Sequence, residues 1–246
     1  MIVRLGLQLP VLTARYLAVM AADLPTLVLL LAQAPLIGLL CQRIWLEVET
    51  DTPSLWFVLV LASVWFGCIN ACREIVKERP IVERERLFGL SMPAYVLSKL
   101  SVLGGIALLQ VILLQAAVEW RISLRGAYLL ETLALWLAAV AGTGLGLVVS
   151  AVSARQERAV AAVPLLLLPQ ILLSRFTVPE SSFEGGLGWA RGLLPVYHGF
   201  HVFELAADSE LLIGPLLWSL FVLLLESVIL ALLCAALLLR RQESPR

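Results

Sequence analysis

The sequence predicts an all-α polytopic membrane protein, and three observations carry that prediction. Of 246 residues, 61% are hydrophobic and 15% charged, with a mean hydropathy of +0.95. Soluble chains carry roughly 25% charge. Apolar runs recur at lengths near the roughly 20 residues that a helix needs to cross the hydrocarbon of a bilayer. The one long charged run, Arg73 to Arg86, has such runs on both sides. An ion at the bilayer centre costs about 2.5–3.5 kcal/mol even on the lenient insertion scale, so that run lies outside the lipid.

In chain order, residues 8–23 come first. Leu9, Leu12, Tyr16 and Val19 recur at helical spacing with Arg15 on another face, the pattern of an amphipathic helix lying on the membrane surface. A frayed start to the first span is the rival reading. The first span is 26–45, with Pro35 and Gly38 inside it. Glu47–Ser54 is an acidic, turn-forming link. The second span is 55–72, with Trp56 and Trp65 as interface anchors. A charged elbow, 73–92, leads to the third span, 93–118. A polar turn precedes the fourth span, 127–150, and Ala154–Arg158 is another such turn. The fifth span, 159–173, is short, and Pro164 and Pro169 should kink it or shorten its regular part. Residues 174–213 are too polar to span and too apolar for a disordered linker; short helices at the membrane surface are expected there. The sixth span is 214–239.

With the N-terminus inside, thirteen of the eighteen basic residues fall on the inner side: Arg4, Arg15, the elbow set, Lys99, Arg155, Arg158, Arg240, Arg241 and Arg246. Five fall outside: Arg43, Arg121, Arg125, Arg175 and Arg191. The excess of inner Lys and Arg makes both termini and the elbow cytoplasmic and 174–213 an external loop. The zero formal net charge gives no reason to expect a nucleic-acid partner. The N-terminus lacks the short apolar segment and small-residue cleavage site of a signal peptide.

The motifs are few. No phosphate-binding G-x-x-x-x-G-K-[ST] loop occurs. Gly142, Gly144 and Gly146 lie inside an apolar span with no strand before them, and are read as close-packing residues. Cys41, Cys68, Cys72 and Cys234 have no zinc spacing and are read as small apolar side chains. His198, His201 and Glu204 recur every three residues and would share a helix face. A further ligand would be needed for a metal, so no metal site is assigned. No nucleophile elbow accompanies the serines, so no catalytic residue is assigned either.

Within the spans, Gln33, Asn70, Gln110, Gln115 and Gln170 are candidates for hydrogen-bonded glue between helices. Glu226 sits near the middle of the sixth span. Its roughly sixteen Leu, Ile, Val and Phe neighbours contribute about −5 to −10 kcal/mol to insertion against about 3 for the acid. The helix therefore still inserts. The acid is read either as hydrogen-bonded to Gln110 or Gln115 on a neighbouring span, or as a cavity group that meets substrate or gates a pathway; a lipid-facing accident is the third reading.

The elbow holds nine charges: Arg73, Lys77, Arg79, Arg84 and Arg86 against Glu74, Glu78, Glu83 and Glu85. It is either a solvated loop that fixes topology or a docking surface for a soluble partner. The order of parts resembles the membrane domain of ABC-2 type transporters of the G-subfamily-like kind, across essentially the whole chain. The most specific part is Glu85-Arg86-x-x-Gly89 followed by Ala94-Tyr95-x-Leu97-Ser98-Lys99. Leu194-Pro195-x-Tyr197 resembles the family's external loop. The paired external cysteines of many animal members are absent.

The resemblance implies a permease subunit, an exporter, with the elbow receiving the stroke of a cytoplasmic ABC ATPase. It also implies a second permease subunit, in a homo- or heterodimer, around the pathway. The chain itself would bind no cofactor; ATP and Mg would enter through the partner ATPase, expected on a separate polypeptide or fused in a longer one. The location implied is the cell inner membrane. A membrane scaffold or anchor without transport activity is the rival, followed by a membrane-embedded enzyme. The family-motif residues are Gly89, Tyr95 and Lys99, and the pathway or packing candidates are Glu226, Gln110, Gln115 and Asn70.

Overall fold

The computed structural model describes residues 2–47, 52–124, 126–179, 183, 186–208 and 212–240. Residues 48–51 of the acidic link, the basic residues Arg125, Arg241 and Arg246, and parts of 174–213 lie outside the described residues, as does the side chain of Arg4. The described residues hold helices and turns and no strand.

The helices are α1 (Ile2–Ala22), α2 (Leu24–Trp45), α3 (Pro53–Ala71), α4 (Arg79–Leu87), α5 (Met92–Glu119), α6 (Tyr128–Val152), α7 (Gln156–Leu172), α8 (Gly186–Arg191), α9 (Pro195–Ala207) and α10 (Ile213–Arg240). Five of them, α2, α3, α5, α6 and α10, are long and apolar enough to cross a membrane. The expected fifth span became α7, with 17 residues and both prolines inside it. At about 1.5 Å per residue it is the shortest of the apolar helices named as spans.

α3 and α6 form the centre. Their backbones meet through glycine: a Cβ on Gly67 would stand 1.9 Å from the Ala139 carbonyl oxygen, and one on Gly142 would stand 2.3 Å from that of Val64. Such an approach requires residues without side chains, which is the packing role read for Gly142 and Gly146. α5 packs against both, α2 and α1 lie on α5, and α10 lies on α6. α9 is set into the bundle against α3, α6 and α10 rather than lying free outside it, with Val202, Phe203 and Val196 buried. α2 and α10 keep broad apolar faces outward, including Leu29, Leu36, Leu217 and Phe221, as lipid-facing helices do.

The interior divides into two apolar clusters. One joins α3, α6 and α9 to the middle of α5. The other gathers α1, the elbow and the elbow-side ends of α5, α6 and α10, through Tyr16, Ile75, Val82, Tyr95, Leu147 and Cys234.

Candidate functional site

The elbow is the longest charged run in the chain, and the structure turns four of its nine charges inward. After α3 the chain makes tight turns through Arg73 to Glu78, and Ser150 Oγ of α6 accepts hydrogen bonds from the Ile75 and Val76 N–H groups at 3.0 Å each. Pro80 in the first turn of α4 suits a helix start, where the missing N–H has no partner to lose. Gly89, at φ 94°, ends it in the left-handed region that favours glycine. Gln8 of α1 clasps this turn: its Nε2 donates to the Gly89 carbonyl at 3.0 Å and its Oε1 accepts from Ser91 N–H at 2.9 Å.

Beneath the elbow lies Lys99, 2% exposed. Its Nζ is 2.6 Å from Glu78 Oε1 and 3.8 Å from Glu74 Oε2, and it sits 3.4 Å over the centre of the Tyr16 ring. Lys77 donates to Glu74 Oε1 at 2.5 Å. The Tyr16 hydroxyl donates to Glu74 Oε2 at 2.5 Å and that of Tyr95 to Glu78 Oε2 at 3.0 Å. All four carboxylate oxygens thus have donors, which is what a buried charge cluster requires to persist. Burial first, and then the Glu74 charge, raises the Tyr16 hydroxyl above the usual phenol range, so it remains a donor.

Two arginines tie α4 to the ends of two long helices. Arg79 donates to the carbonyls of Ser153 at 2.6 Å and Ala151 at 3.2 Å, closing the C-terminus of α6. Arg86 donates to those of Leu238 at 2.7 Å and Leu239 at 3.3 Å, near the end of α10. Cations at these ends also meet the negative pole of each helix. Glu85 pairs with Arg15 of α1 at 2.5 Å, and that hydrogen bond raises the Arg15 guanidinium further.

The nine charges therefore do not make one docking face. Glu74, Glu78, Arg79 and Arg86 turn toward the bundle. Arg73, Glu83 and Arg84 remain exposed, and Glu83 and Arg84 share the α4 segment with an apolar group the charge pattern did not single out: Ile81, Leu87 and Phe88, the last 89% exposed. The family-motif residues Gly89, Tyr95 and Lys99 all belong to this junction. Tyr16, Gln8 and Ser150 were missed as polar partners. A tyrosine in the buried stripe of an amphipathic helix needs a partner for its hydroxyl, and that was the available signal for Tyr16.

The polar residues within the spans form separate groups. Gln110 Nε2 donates to the Leu30 carbonyl at 2.8 Å, and its Oε1 accepts from Asn70 Nδ2 at 2.6 Å, joining α2, α3 and α5. Gln115 meets Glu131 at 3.2 Å and Thr132 at 2.6 Å, toward the other end of α5. Glu131, 1% exposed, was not anticipated as a buried acid. Neither glutamine reaches Glu226, whose two carboxylate oxygens are buried without a hydrogen-bond partner. The expectation of a Gln110 or Gln115 partner is thereby corrected: both amides are committed to nearer groups.

At the end of the bundle away from the elbow is a cavity of about 450 Å³, walled in part by Phe57, Gln170, Phe176, Tyr197 and Phe200. Arg175 lies over the Phe200 ring at 4.8 Å and pairs with Glu204. The three residues weighed as metal ligands do not converge. His198 Nε2 faces the Gly192 carbonyl at 2.8 Å, while His201 faces Glu204, and no cluster of metal-ligating groups occurs among the described residues.

The sequence pattern of the family described as ABC-2 type transporter matches residues 7–206. No curated protein matches the chain.

Proposed function

The chain belongs to the ABC-2 type transporter family and is a permease component of an ABC transporter, and from that premise we propose that it works as an exporter subunit driven through the elbow by a cytoplasmic ATPase. The observation that carries the proposal is the double attachment of α4. Its inner side grips the ends of α6 and α10 through Arg79 and Arg86 and is pinned to α5 by Lys99. Its outer side offers Ile81, Glu83, Arg84, Leu87 and Phe88. A push on that outer face would reach several helices at once. Apolar side chains flanked by charges suit a protein groove, the charges setting register and the apolar groups supplying burial. ATP and Mg belong to the ATPase in this reading.

Six crossings are proposed, with α7 as the fifth. Gln156 at its start lines a small cavity with Arg73 and Lys77, beside the elbow, while the Phe176 ring just past its end packs 5.1 Å from that of Phe57, near the start of α3. The helix runs between the two ends of the bundle despite its length. The large cavity at the end away from the elbow suits substrate release on the outer side of the inner membrane. A second six-helix subunit is proposed against the apolar groove between α3 and α7, lined by Val58, Leu61, Trp65, Pro164 and Leu168.

The test is affinity purification of the tagged chain from its own cells, with the ATPase identified by its nucleotide-binding motifs and its hydrolysis measured in liposomes. Leu87→Asp with Phe88→Asp should abolish recovery of the ATPase while leaving the melting temperature of the chain unchanged. Normal recovery and normal hydrolysis with this double variant would reduce the elbow to a topological turn.

A further inference from the structure

A second polar feature lies beside the elbow and plays no part in the coupling argument. A cavity of about 160 Å³ opens where α1 ends, α2 begins, α3 ends and α7 begins, with Asp23, Thr26, Asn70, Arg73 and Lys77 among its walls. All of these are helix ends, which places the cavity at the depth of the phospholipid headgroups rather than in the hydrocarbon.

Its floor has a fixed polarity. Leu30 offers only a carbonyl, so Gln110 must turn its NH2 toward it and present Oε1 to Asn70. Asn70 must then turn its own NH2 to Gln110. That leaves Asn70 Oδ1, in a side chain 4% exposed, as a buried acceptor with no donor. A buried acceptor left unpaired costs about 1–3 kcal/mol. Glu74, which also lines the cavity, is itself an acceptor, of hydrogen bonds from Lys77 and Tyr16, and supplies no donor. None of the wall residues donates to Asn70 Oδ1, so an N–H or O–H group entering the cavity would complete its pairing. Asp23, whose Oδ1 receives only a 3.4 Å bond from Thr26 N–H, adds a negative charge at the rim. Arg73 and Lys77, both exposed, add positive charge beside it.

We propose that this cavity binds a primary ammonium joined by two carbons to a phosphate ester, the headgroup of an ethanolamine phospholipid. The ammonium donates to Asn70 Oδ1 and meets the charge of Asp23. The phosphate meets Arg73, with Lys77 able to share it through the N–H groups it does not give to Glu74. The same chemistry is carried by free phosphoethanolamine. A choline headgroup has the charge but no N–H, so it leaves Asn70 Oδ1 unpaired. This assignment goes beyond the transport reading and needs neither an ATPase nor a substrate, so either can fail without the other.

The test uses the full chain purified in a maltoside detergent and stripped of lipid, with binding followed by tryptophan fluorescence. Dihexanoyl phosphatidylethanolamine should bind saturably, and dihexanoyl phosphatidylcholine at least tenfold more weakly. Asp23→Asn keeps the helix cap, since asparagine caps as well as aspartate, and should weaken the ethanolamine lipid at least fivefold. Arg73→Gln, which leaves the buried amide pair untouched, should do the same. Equal affinity for the free phosphoethanolamine would support the site with a soluble ester as occupant; binding of the lipid alone would support it with the membrane as the source. Equal binding of the ethanolamine and choline lipids, or no loss in either variant, would overturn it and leave the cavity to water.

Discussion

Glu226 and its neighbours on α10 treat their polar atoms differently. Ser219 and Ser227 donate to carbonyls one turn back on their own helix, at 3.1 and 2.8 Å, whereas both oxygens of Glu226 are buried and unpartnered. Replacing Glu226 with leucine removes no hydrogen bond and adds apolar surface to an apolar face. The expected result is a melting temperature equal to or above that of the unaltered chain, together with reduced transport-coupled ATP hydrolysis if the acid meets substrate or a second subunit. Gln110→Leu should behave in the opposite way. It strands the Asn70 amide, at about 1–3 kcal/mol, and takes a second hydrogen bond from the Leu30 carbonyl, and thermal unfolding in detergent should show the loss. A lower melting temperature for Glu226→Leu would mean that the acid has a structural partner after all. His198 carries a pH dependence. Its Nε2–H can donate to the Gly192 carbonyl, while Nδ1 is buried without a partner, and burial lowers its basicity below the usual histidine range. Below about pH 6.5 the unfolded chain takes up a proton that folded His198 resists. Stability from this residue is therefore complete above that pH and lost as pH falls through it. His198→Gln should remove that part of the decline in melting temperature between pH 7.5 and 5.5; an unchanged decline would assign it to other groups.

At the scale of elements, the junction of α1, α4 and α5 rests on Lys99. Lys99→Met leaves Glu78 without its ion pair, and removal of one partner of a buried pair costs about 3–5 kcal/mol. Glu83→Lys, on the outer face of α4, should leave the melting temperature unchanged and alter only recovery of the ATPase. Equal melting temperatures for Lys99→Met and the unaltered chain would show that the cluster does not hold the elbow. Much of this architecture is legible in the sequence. Five long helices follow from apolar length, because lipid leaves few alternatives for a run of twenty such residues. α7 is less legible, since Pro164 and Pro169 read as breaks in the run, whereas the helix continues through both. The direction of the elbow charges is not legible at all. Glu78 and Glu83 are the same residue type five positions apart, and only the position of Lys99 on α5 decides which turns inward. The clasp by Gln8 likewise depends on two segments more than eighty residues apart meeting at Gly89.

At the scale of the whole molecule, the two ends of the bundle differ in their basic residues, and the proposed orientation rests on that difference. Arg73, Lys77, Arg79, Arg84, Arg86 and Lys99 gather at the elbow end, and Arg155, Arg158 and Arg240 adjoin helix ends on that same side. Arg43, Arg121, Arg175 and Arg191 adjoin the helix ends of the opposite side. A membrane protein retains its denser basic end in the cytoplasm because moving those charges across during insertion is disfavoured. The cysteines make this testable with little background, since Cys41, Cys68, Cys72 and Cys234 are all buried and unpaired. Phe88, 89% exposed on the elbow, and Trp189, 69% exposed in α8, are suitable positions for single reporters. In intact cells a membrane-impermeant maleimide should label Trp189→Cys and leave Phe88→Cys unmodified. Permeabilisation should then make Phe88→Cys react at a comparable rate, because both sites are open to water. Labelling of Phe88→Cys in intact cells would invert the molecule, place the elbow beyond the reach of a cytoplasmic ATPase, and remove the coupling proposal with it.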